Sequence, residues 1–299
     1  MRLFSRAEVE ALLEPGALIE AVAAALADVS AGRASLPPRI AAFTPQGLLG
    51  GMVGYVPSLD ALAAKLVSVF PQNRDRPSHQ ALIVAFDPRT GTPLAVMDGT
   101  EITAQRTAAA SALATRLLAR EDAQTLAIVG TGVQALSHAR YLPRVRKFRE
   151  ILIAGRDRMK AAQLATHIPG ARAAMIEAAV RAAQVVCVTT HAHDPVVRSE
   201  WVQPGAHVNS VGLHAQGSEL DPELISRARI AVESRASAFA AFPAGAFELR
   251  GYNPAHAVEL GELLSGTRKG RTSPDEITLY KSVGIAAEDA AAAALVLRG

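Results

Sequence analysis

The chain has 299 residues, of which 49% are hydrophobic, and a formal net charge of only +3. This length predicts about two domains with a large apolar core, and the charge balance favours small anionic ligands over nucleic acid. The single Cys187 excludes an internal disulfide framework. The first residues lead into no apolar signal segment, and no run of about twenty apolar residues occurs. We therefore expect a cytoplasmic protein with no membrane partner.

The N-terminal part predicts one long helix followed by a mostly antiparallel β region. Residues 6–29 have the apolar spacing of an amphipathic helix, which Pro37 and Pro38 end. The run 87–91 has the composition of a hairpin turn. Extended segments are predicted at 40–43, 50–56, 63–69, 81–86 and 93–97. A helix over about 103–119 ends this part of the chain.

An apolar run at 126–129 is followed by a glycine turn and an amphipathic helix. The turn reads Gly130-Thr131-Gly132-Val133-Gln134-Ala135, which is the dinucleotide-binding fingerprint in its G-x-G-x-x-A form. Gly130 makes the tight turn, Gly132 lets the backbone approach a pyrophosphate, and Ala135 lets the helix pack closely on the strand. Unpaired N–H groups at the helix start then hold the phosphates.

After the fingerprint, strands and helices alternate as in a doubly wound parallel sheet. Strands are predicted at 151–154, 185–189, 207–211 and 230–232, with a helix at 160–167. The fold class is therefore α/β, with a Rossmann domain that begins only after more than a hundred residues. The basic run at 140–149 is interpreted as the solvated end of the fingerprint helix and not as a nucleic-acid surface.

Several motifs across the chain resemble the ornithine cyclodeaminase/mu-crystallin family. They are LAVMDGTEITAQRTAAASA over 94–112, PSHQA over 77–81, WVQPGAHVN over 201–209, ELD over 219–221 and ITLYKSVG over 277–284. The PSHQA run and the residues around 132–138 are most similar to ketimine reductases of the mu-crystallin type. The resemblance implies a substrate-binding and dimerisation domain over 1–118, completed by a C-terminal helix over 284–299. It also implies a Rossmann domain over 119–283 and a homodimer.

The resemblance implies a clamp for the carboxylate of an α-amino or α-imino acid at Arg39, Lys65 and Arg106, with Met52 lining the pocket. Chemistry supports these residue types, because a carboxylate in a dry pocket must be paired and arginine offers a two-pronged grip. Lys65 is also a catalytic candidate. Further cofactor contacts are expected from Thr107, Thr189, Thr190, Val211, Gly212, Ser282 and Gly284.

Two departures from the family pattern bear on the reaction. Cyclodeaminases carry an Asp where this chain has His214, and a Glu where it has Gly50. Release of ammonia from a diamine needs a base at two steps, whereas reduction of an existing cyclic imine needs one proton, which His214 can supply or relay. We therefore expect a reductase of Δ1-pyrroline-2-carboxylate or Δ1-piperideine-2-carboxylate. Ornithine cyclodeaminase, an alanine dehydrogenase-like enzyme and a non-enzymatic ligand-binding crystallin are the alternatives.

The second predicted strand of the Rossmann domain ends in Gly155, Arg156 and Asp157. Enzymes that prefer NAD carry an acid at the end of this strand, whereas an arginine there receives the 2′-phosphate of NADP. The sequence therefore favours NADPH, with Asp157 as the counter-indication that keeps NAD possible.

His191, His193 and Asp194, with His207 and His214 downstream, have a spacing that resembles a set of metal ligands. This segment follows a Rossmann strand, in a loop that usually lines the cofactor, and neither an HExxH motif nor a cysteine pair supports a metal. We expect none.

Overall fold

The computed structural model describes all 299 residues. The strands are β1 (Arg2–Phe4), β2 (Ile40–Thr44), β3 (Gly47–Val56), β4 (Ala61–Val69), β5 (His79–Phe86), β6 (Pro93–Asp98), β7 (Thr125–Val129), β8 (Glu150–Ala154), β9 (Ala171–Ala174), β10 (Val185–Val188), β11 (His207–Ser210), β12 (Arg229–Val232), β13 (Val258–Glu259) and β14 (Thr278–Lys281). The helices are α1 (Arg6–Leu12), α2 (Pro15–Ser30), α3 (Gly99–Leu118), α4 (Val133–Tyr141), α5 (Arg158–Ala165), α6 (Ile176–Ala182), α7 (Pro222–Arg227), α8 (Arg235–Ala238), α9 (Leu260–Leu264) and α10 (Ala286–Arg298). None of these helices combines the length and apolar character needed to cross a membrane.

The first unit comprises Met1–Arg106 and Gly284–Gly299. Its sheet has six strands in the order β1-β6-β5-β4-β3-β2, antiparallel except where β1 joins β6. Alternate residues of β3, β4 and β5 are buried, and α10 packs against these strands and against α2. The other face leaves Ile40, Leu49, Val53, Leu66 and Leu82 about half exposed or more.

The single N-terminal helix predicted over 6–29 is wrong, because the structure divides it into α1 and α2. Pro15 occupies the first turn of α2, and Glu14 caps that helix by accepting a hydrogen bond from the backbone N–H of Ala17. Proline has no N–H and disfavours helical geometry in the residue before it, so the first helix must end before Pro15. Ser5 and Glu8 form a capping box at the start of α1.

The second unit, Thr107–Val283, contains one parallel sheet of eight strands. The strand order is β13-β12-β14-β11-β10-β7-β8-β9. From β7 the chain first adds β8 and β9 on one side and then adds β10 and the later strands on the other, so the strand order reverses between β7 and β10. In sheets of this kind ligands bind where the order reverses, outside the carboxyl ends of the strands. The predicted α/β class with a Rossmann sheet is confirmed. Strand β14, which lies between β11 and β12, was not predicted.

The division between the units falls between Arg106 and Thr107, inside α3, and not near residue 118 as the sequence predicts. The physical reason is the hydrogen bonding of the second half of α3. Ser111 Oγ lies 2.9 Å from His138 Nε2, and Thr115 Oγ1 accepts a 3.0 Å hydrogen bond from Asn209. These contacts attach residues after 106 to the parallel sheet.

Candidate active site

The first unit brings the predicted carboxylate clamp together on the buried face of its sheet. Lys65 and Met52 are directly paired across β3 and β4 and are 3% and 6% exposed. Lys65 Nζ lies 3.0 Å from Asp289 Oδ1 of α10. The predicted pair Met52 and Lys65 therefore lies on one face, with an unpredicted carboxylate beside the ammonium.

Arg106 is 6% exposed and is held by two carboxylates of α10. Its Nη1 lies 2.8 Å from Glu288 Oε2, and its Nε lies 3.3 Å from Asp289 Oδ1. Arg39 reaches the same place through Nη2, which donates a 2.7 Å hydrogen bond to the carbonyl oxygen of Gly284. The three predicted cations therefore belong to one cluster, which the structure ties to the start of α10.

The structure places Gly284 with this clamp, although the sequence assigned it to the cofactor. Its φ is +66°, and a Cβ at this position would lie 2.5 Å from Arg106 Nη1. Only glycine combines this backbone conformation with so close an approach to the guanidinium.

Burial and charge set the protonation of the clamp. The pKa of Lys65 is lowered to about 8, because burial, Arg106 and Arg39 together outweigh Asp289, which raises it. Burial would raise the pKa of Asp289, but Lys65 and Arg106 outweigh burial and lower it. Burial and the nearby Lys65 charge lower the pKa of His79 to about 4. Near pH 7 Lys65 is thus mostly protonated, Asp289 is ionised and His79 is neutral.

The two carboxylates were missed at the sequence level. In the sequence, Glu288 and Asp289 were noted only because they interrupt the alanine-rich run at the C-terminus. The available signal was the adjacent pair of acids in a helix that is otherwise almost wholly apolar, since acids are rarely buried without cationic partners.

The fingerprint turn of the second unit has the geometry that a pyrophosphate requires. Gly130 has φ +136°, and a Cβ there would collide with Thr189 Oγ1. Gly132 caps α4 without a side-chain hydrogen bond, and nothing lies within 4 Å of its absent Cβ. Ala135 is fully buried. The backbone N–H groups that open α4 at Val133 are therefore open to an anion, so the residues present fit a dinucleotide.

The end of β8 lacks an acid for structural reasons. A Cβ on Gly155 would lie 2.8 Å from Thr131 Cγ2, so a side chain at 155 would require Thr131 to move. Asp157 caps α5 by accepting hydrogen bonds from the N–H groups of Met159 and Lys160, at 3.0 and 3.1 Å. Its carboxylate is thus engaged in helix capping, while Arg156 is exposed.

A buried carboxylate ties together the predicted cofactor residues at the ends of β10 and β11. Glu219 accepts hydrogen bonds from Thr190 Oγ1 at 2.7 Å, Ser210 Oγ at 2.7 Å and the Gly212 N–H at 2.8 Å. Burial raises its pKa. Glu219 belongs to a family motif in the sequence, but the sequence assigned it no role. In the structure its hydrogen bonds connect the segment after β10 with the segment after β11.

The remaining predicted cofactor residues occupy the same unit. Thr107 is 6% exposed, Gln134 lies in the first turn of α4, and Val211 continues β11 through a 3.1 Å hydrogen bond to Val188. Ser282 donates a 2.7 Å hydrogen bond to the buried Glu233.

His214 lies on the loop after β11 beside two other histidines. Its ring centroid is 5.3 Å from that of His191 and 5.0 Å from that of His193. Its Nδ1 accepts a hydrogen bond from the N–H of Gln216 at 3.3 Å, which leaves the proton of the neutral ring on Nε2. Burial and the two histidines lower the pKa of His214, so the ring is neutral near pH 7. A neutral ring suits relay of a proton better than its direct supply.

The structure arranges no group of three or more His, Cys, Asp or Glu side chains to hold a metal ion. His207, which the sequence grouped with the loop histidines, is instead fully buried in β11 and bonded to Thr278 and Asn209.

The Rossmann sheet and its fingerprint turn define a dinucleotide-dependent enzyme, and the first unit adds a buried cluster of cations. The family model for the ornithine cyclodeaminase/mu-crystallin family matches residues 1–298, so the chain belongs to that family. This confirms the resemblance drawn from the motifs.

Three relatives show how far the likeness extends. Ketimine reductase mu-crystallin of Mus musculus is 40% identical over 256 residues, which are 84% of this chain and 80% of that protein. The structure of Thermococcus litoralis Δ1-pyrroline-2-carboxylate reductase, in complex with NADH and L-proline, superimposes with a TM-score of 0.93 at 34% identity. That comparison covers 100% of this chain and 97% of the other. An archaeal alanine dehydrogenase dimer with bound NAD has a TM-score of 0.88 at 29% identity, covering 100% of this chain and 95% of that one. The protein is thus an NAD(P)-dependent oxidoreductase that acts on carbon–nitrogen double bonds.

Proposed function

We propose that the protein reduces a cyclic ketimine, Δ1-pyrroline-2-carboxylate or Δ1-piperideine-2-carboxylate, to the cyclic L-amino acid with NADPH. The observation that carries this proposal is the charge of the clamp. Arg39, Lys65 and Arg106 supply three positive charges, and two of them are balanced by Glu288 and Asp289. Such a gathering of cations in a buried cluster suits a substrate carboxylate, which a dry site must pair.

In this reaction the C2–N double bond becomes a single bond, C2 gains a hydride and the nitrogen gains a proton. A bound NADPH supplies the hydride. Arg39 and Arg106 hold the carboxylate in a fixed plane, and burial excludes water from the clamp. The ammonium of Lys65, with its pKa lowered to about 8 by burial, is matched to proton donation near neutral pH. His214, neutral near pH 7, relays protons.

The geometry around Gly50 weighs against a cyclodeaminase. A Cβ at Gly50 would stand 3.3 Å from Val67 Cγ1, tighter than an ordinary contact, so the glutamate that cyclodeaminases carry there has little room. His214 stands where they place an aspartate. Both general bases of the diamine reaction are therefore missing, and imine reduction needs neither.

NADPH is proposed as the physiological donor because position 155 is a glycine without a carboxylate and Asp157 is engaged in capping, which leaves Arg156 as the charged side chain available to a 2′-phosphate. The Thermococcus relative was solved with NADH, so the choice between the cofactors depends on this arginine.

A cytoplasmic homodimer is also proposed. The exposed sheet face formed by Ile40, Leu49, Val53, Leu66 and Leu82 is a contiguous apolar surface of the kind that protein interfaces cover. Light scattering should give about twice the chain mass of 31.3 kDa. Leu66→Glu should shift the mass toward the monomer, and a monomeric wild type would refute the dimer.

The function is tested by the oxidation of NADPH with the five- and six-membered imines in turn. Pyruvate with ammonia is the matched linear substrate, and release of ammonia from L-ornithine is measured alongside. We expect turnover of at least one cyclic imine, with kcat/KM well above that for pyruvate. Preferential use of pyruvate would make the protein an alanine dehydrogenase, and ammonia release from ornithine would make it a cyclodeaminase.

A further inference from the structure

One oxygen atom of Asp289 joins two of the clamp cations. Oδ1 lies 3.0 Å from Lys65 Nζ and 3.3 Å from Arg106 Nε. All three side chains are buried, with Asp289 1% exposed. The other carboxylate oxygen, Oδ2, is buried without a hydrogen-bond partner. A carboxylate held in this way stays ionised only because the two cations face it.

The charged groups that face Lys65 come from every element around it. Arg39 precedes β2, His79 begins β5, Arg106 lies on α3, and Glu288 and Asp289 lie on α10. Arg39 and Arg106 repel the ammonium, and burial disfavours its charge. His79 is neutral near pH 7. Glu288 bonds to Arg106 at 2.8 Å and to the Ile285 N–H at 3.1 Å. Asp289 is the carboxylate in contact with Lys65.

We propose that Asp289 is a positioning residue of the imine site, which keeps Lys65 charged and aligned with Arg106, so that the alkaline limit of substrate carboxylate binding belongs to the Lys65–Asp289 pair. The proposal rests on the proposed function in taking the clamp as the carboxylate site. It goes beyond that function in assigning a role to a side chain that bonds cations and not the reacting atoms.

The expected effect follows from the sign of each interaction. The unfolded lysine titrates near 10.4, and the pocket lowers the pKa of Lys65 to about 8 although Asp289 raises it. Asp289→Asn removes the charge that raises this pKa and keeps the shape of the side chain. The ammonium should then lose its proton at lower pH, and carboxylate binding should weaken from a lower pH upwards.

The experiment measures the affinity of pyrrole-2-carboxylate by calorimetry between pH 6 and pH 9.5. This planar anion has no imine nitrogen to titrate, so the pH dependence comes from the protein. In the wild type, affinity should fall above about pH 8. In Asp289→Asn the fall should begin at least about one pH unit lower, so that the ratio of the two affinities grows about tenfold between pH 6 and pH 9.

Glu288→Gln is the matched control, because it removes the neighbouring carboxylate on the same helix, which bonds Arg106. It should weaken binding at every pH without moving the alkaline limit. Asp289→Glu should restore part of the wild-type profile. Lys65→Arg should abolish the fall altogether, since arginine does not titrate in this range, and this variant also tests the proposal if Asp289→Asn does not fold.

An Asp289→Asn profile parallel to the wild type, or an alkaline limit near pH 8 that persists in Lys65→Arg, would overturn the proposal. The kcat/KM profile for the cyclic imine is recorded on the same variants. If no imine is reduced while pyrrole-2-carboxylate binds with the expected profiles, the proposed function fails and the role of Asp289 stands.

Discussion

Arg106 offers the sharpest test of the clamp, because it faces the proposed substrate and two carboxylates at once. Its guanidinium is 2.8 Å from Glu288 and 3.3 Å from Asp289, and its side chain is 7% exposed. Arg106→Ala therefore leaves buried negative charge without its partner. Breaking a buried ion pair on one side costs about 3–5 kcal/mol, which corresponds to a fall in the melting temperature of roughly 10 °C.

The same substitution removes a partner of the substrate carboxylate. A loss of about 3–5 kcal/mol in the transition state lowers kcat/KM by at least about a hundredfold. Arg106→Lys separates the two effects, since it keeps a charge for Glu288 but loses the two-pronged grip. We expect it to melt within a few degrees of the wild type and still lose about ten- to a hundredfold in kcat/KM.

The assays are thermal unfolding, imine reduction at pH 7 and NADPH binding by fluorescence, which neither Arg106 variant should change appreciably. Turnover by Arg106→Ala within tenfold of the wild type would mean that the carboxylate is held elsewhere. An Arg106→Lys variant as active as the wild type would refute the argument from arginine geometry.

Three further predictions concern the second unit. Arg156→Ala should weaken NADPH binding about ten- to a hundredfold and spare NADH, since a charge-assisted hydrogen bond contributes about 1.5–3 kcal/mol; equal losses for both cofactors would contradict the role of Arg156. The wild type should release no ammonia from L-ornithine, and His214→Asp should lower imine reduction; conversion of ornithine to proline with only catalytic NAD would replace the reductase with a cyclodeaminase. Burial lowers the pKa of His138 to about 4, below an unfolded value near 6.5, so the unfolded chain binds the extra proton and stability falls as pH decreases from 6.5 to 4. The loss attributable to His138 should be about 2 kcal/mol between pH 7 and pH 5, measured by urea unfolding, and a His138→Gln variant with the same pH slope would refute it.

The parts of the fold that the sequence predicts well are those with local signals. The fingerprint at 130–135 and the apolar runs before and after it predict a parallel sheet, because buried strands between helices have few other arrangements. Strand β14 was not predicted because its four residues include Thr278 and Lys281, whose polar side chains obscure the apolar run. Both side chains bond partners far along the chain: Thr278 bonds to His207, and Lys281 lies 2.8 Å from Glu248.

The candidate site, too, has some residues that the sequence identifies and others that only the structure reveals. Arg39, Lys65 and Arg106 were assigned through the family resemblance, and the structure places them in one cluster. Their counter-charges could not be assigned, since Asp289 meets Arg106 across 183 residues of sequence. No local sequence pattern predicts the ion pair between Arg106 and Asp289. A buried acid pair in an apolar helix signals only that cations lie nearby, and not which ones.

The positions of Glu288 and Asp289 beside Arg106 and Lys65 explain why α10 is rich in alanine. Residues 290–294 are all alanine, and small side chains let a helix approach a sheet closely. At Gly54 of β3 an added Cβ would stand 3.0 Å from the Cβ of Ala286. Side chains as short as those of Glu288 and Asp289 can reach Arg106 and Lys65 only from a helix that lies this near. The C-terminal helix therefore does more than close the core of the first unit: its packing distance sets the charge of the clamp.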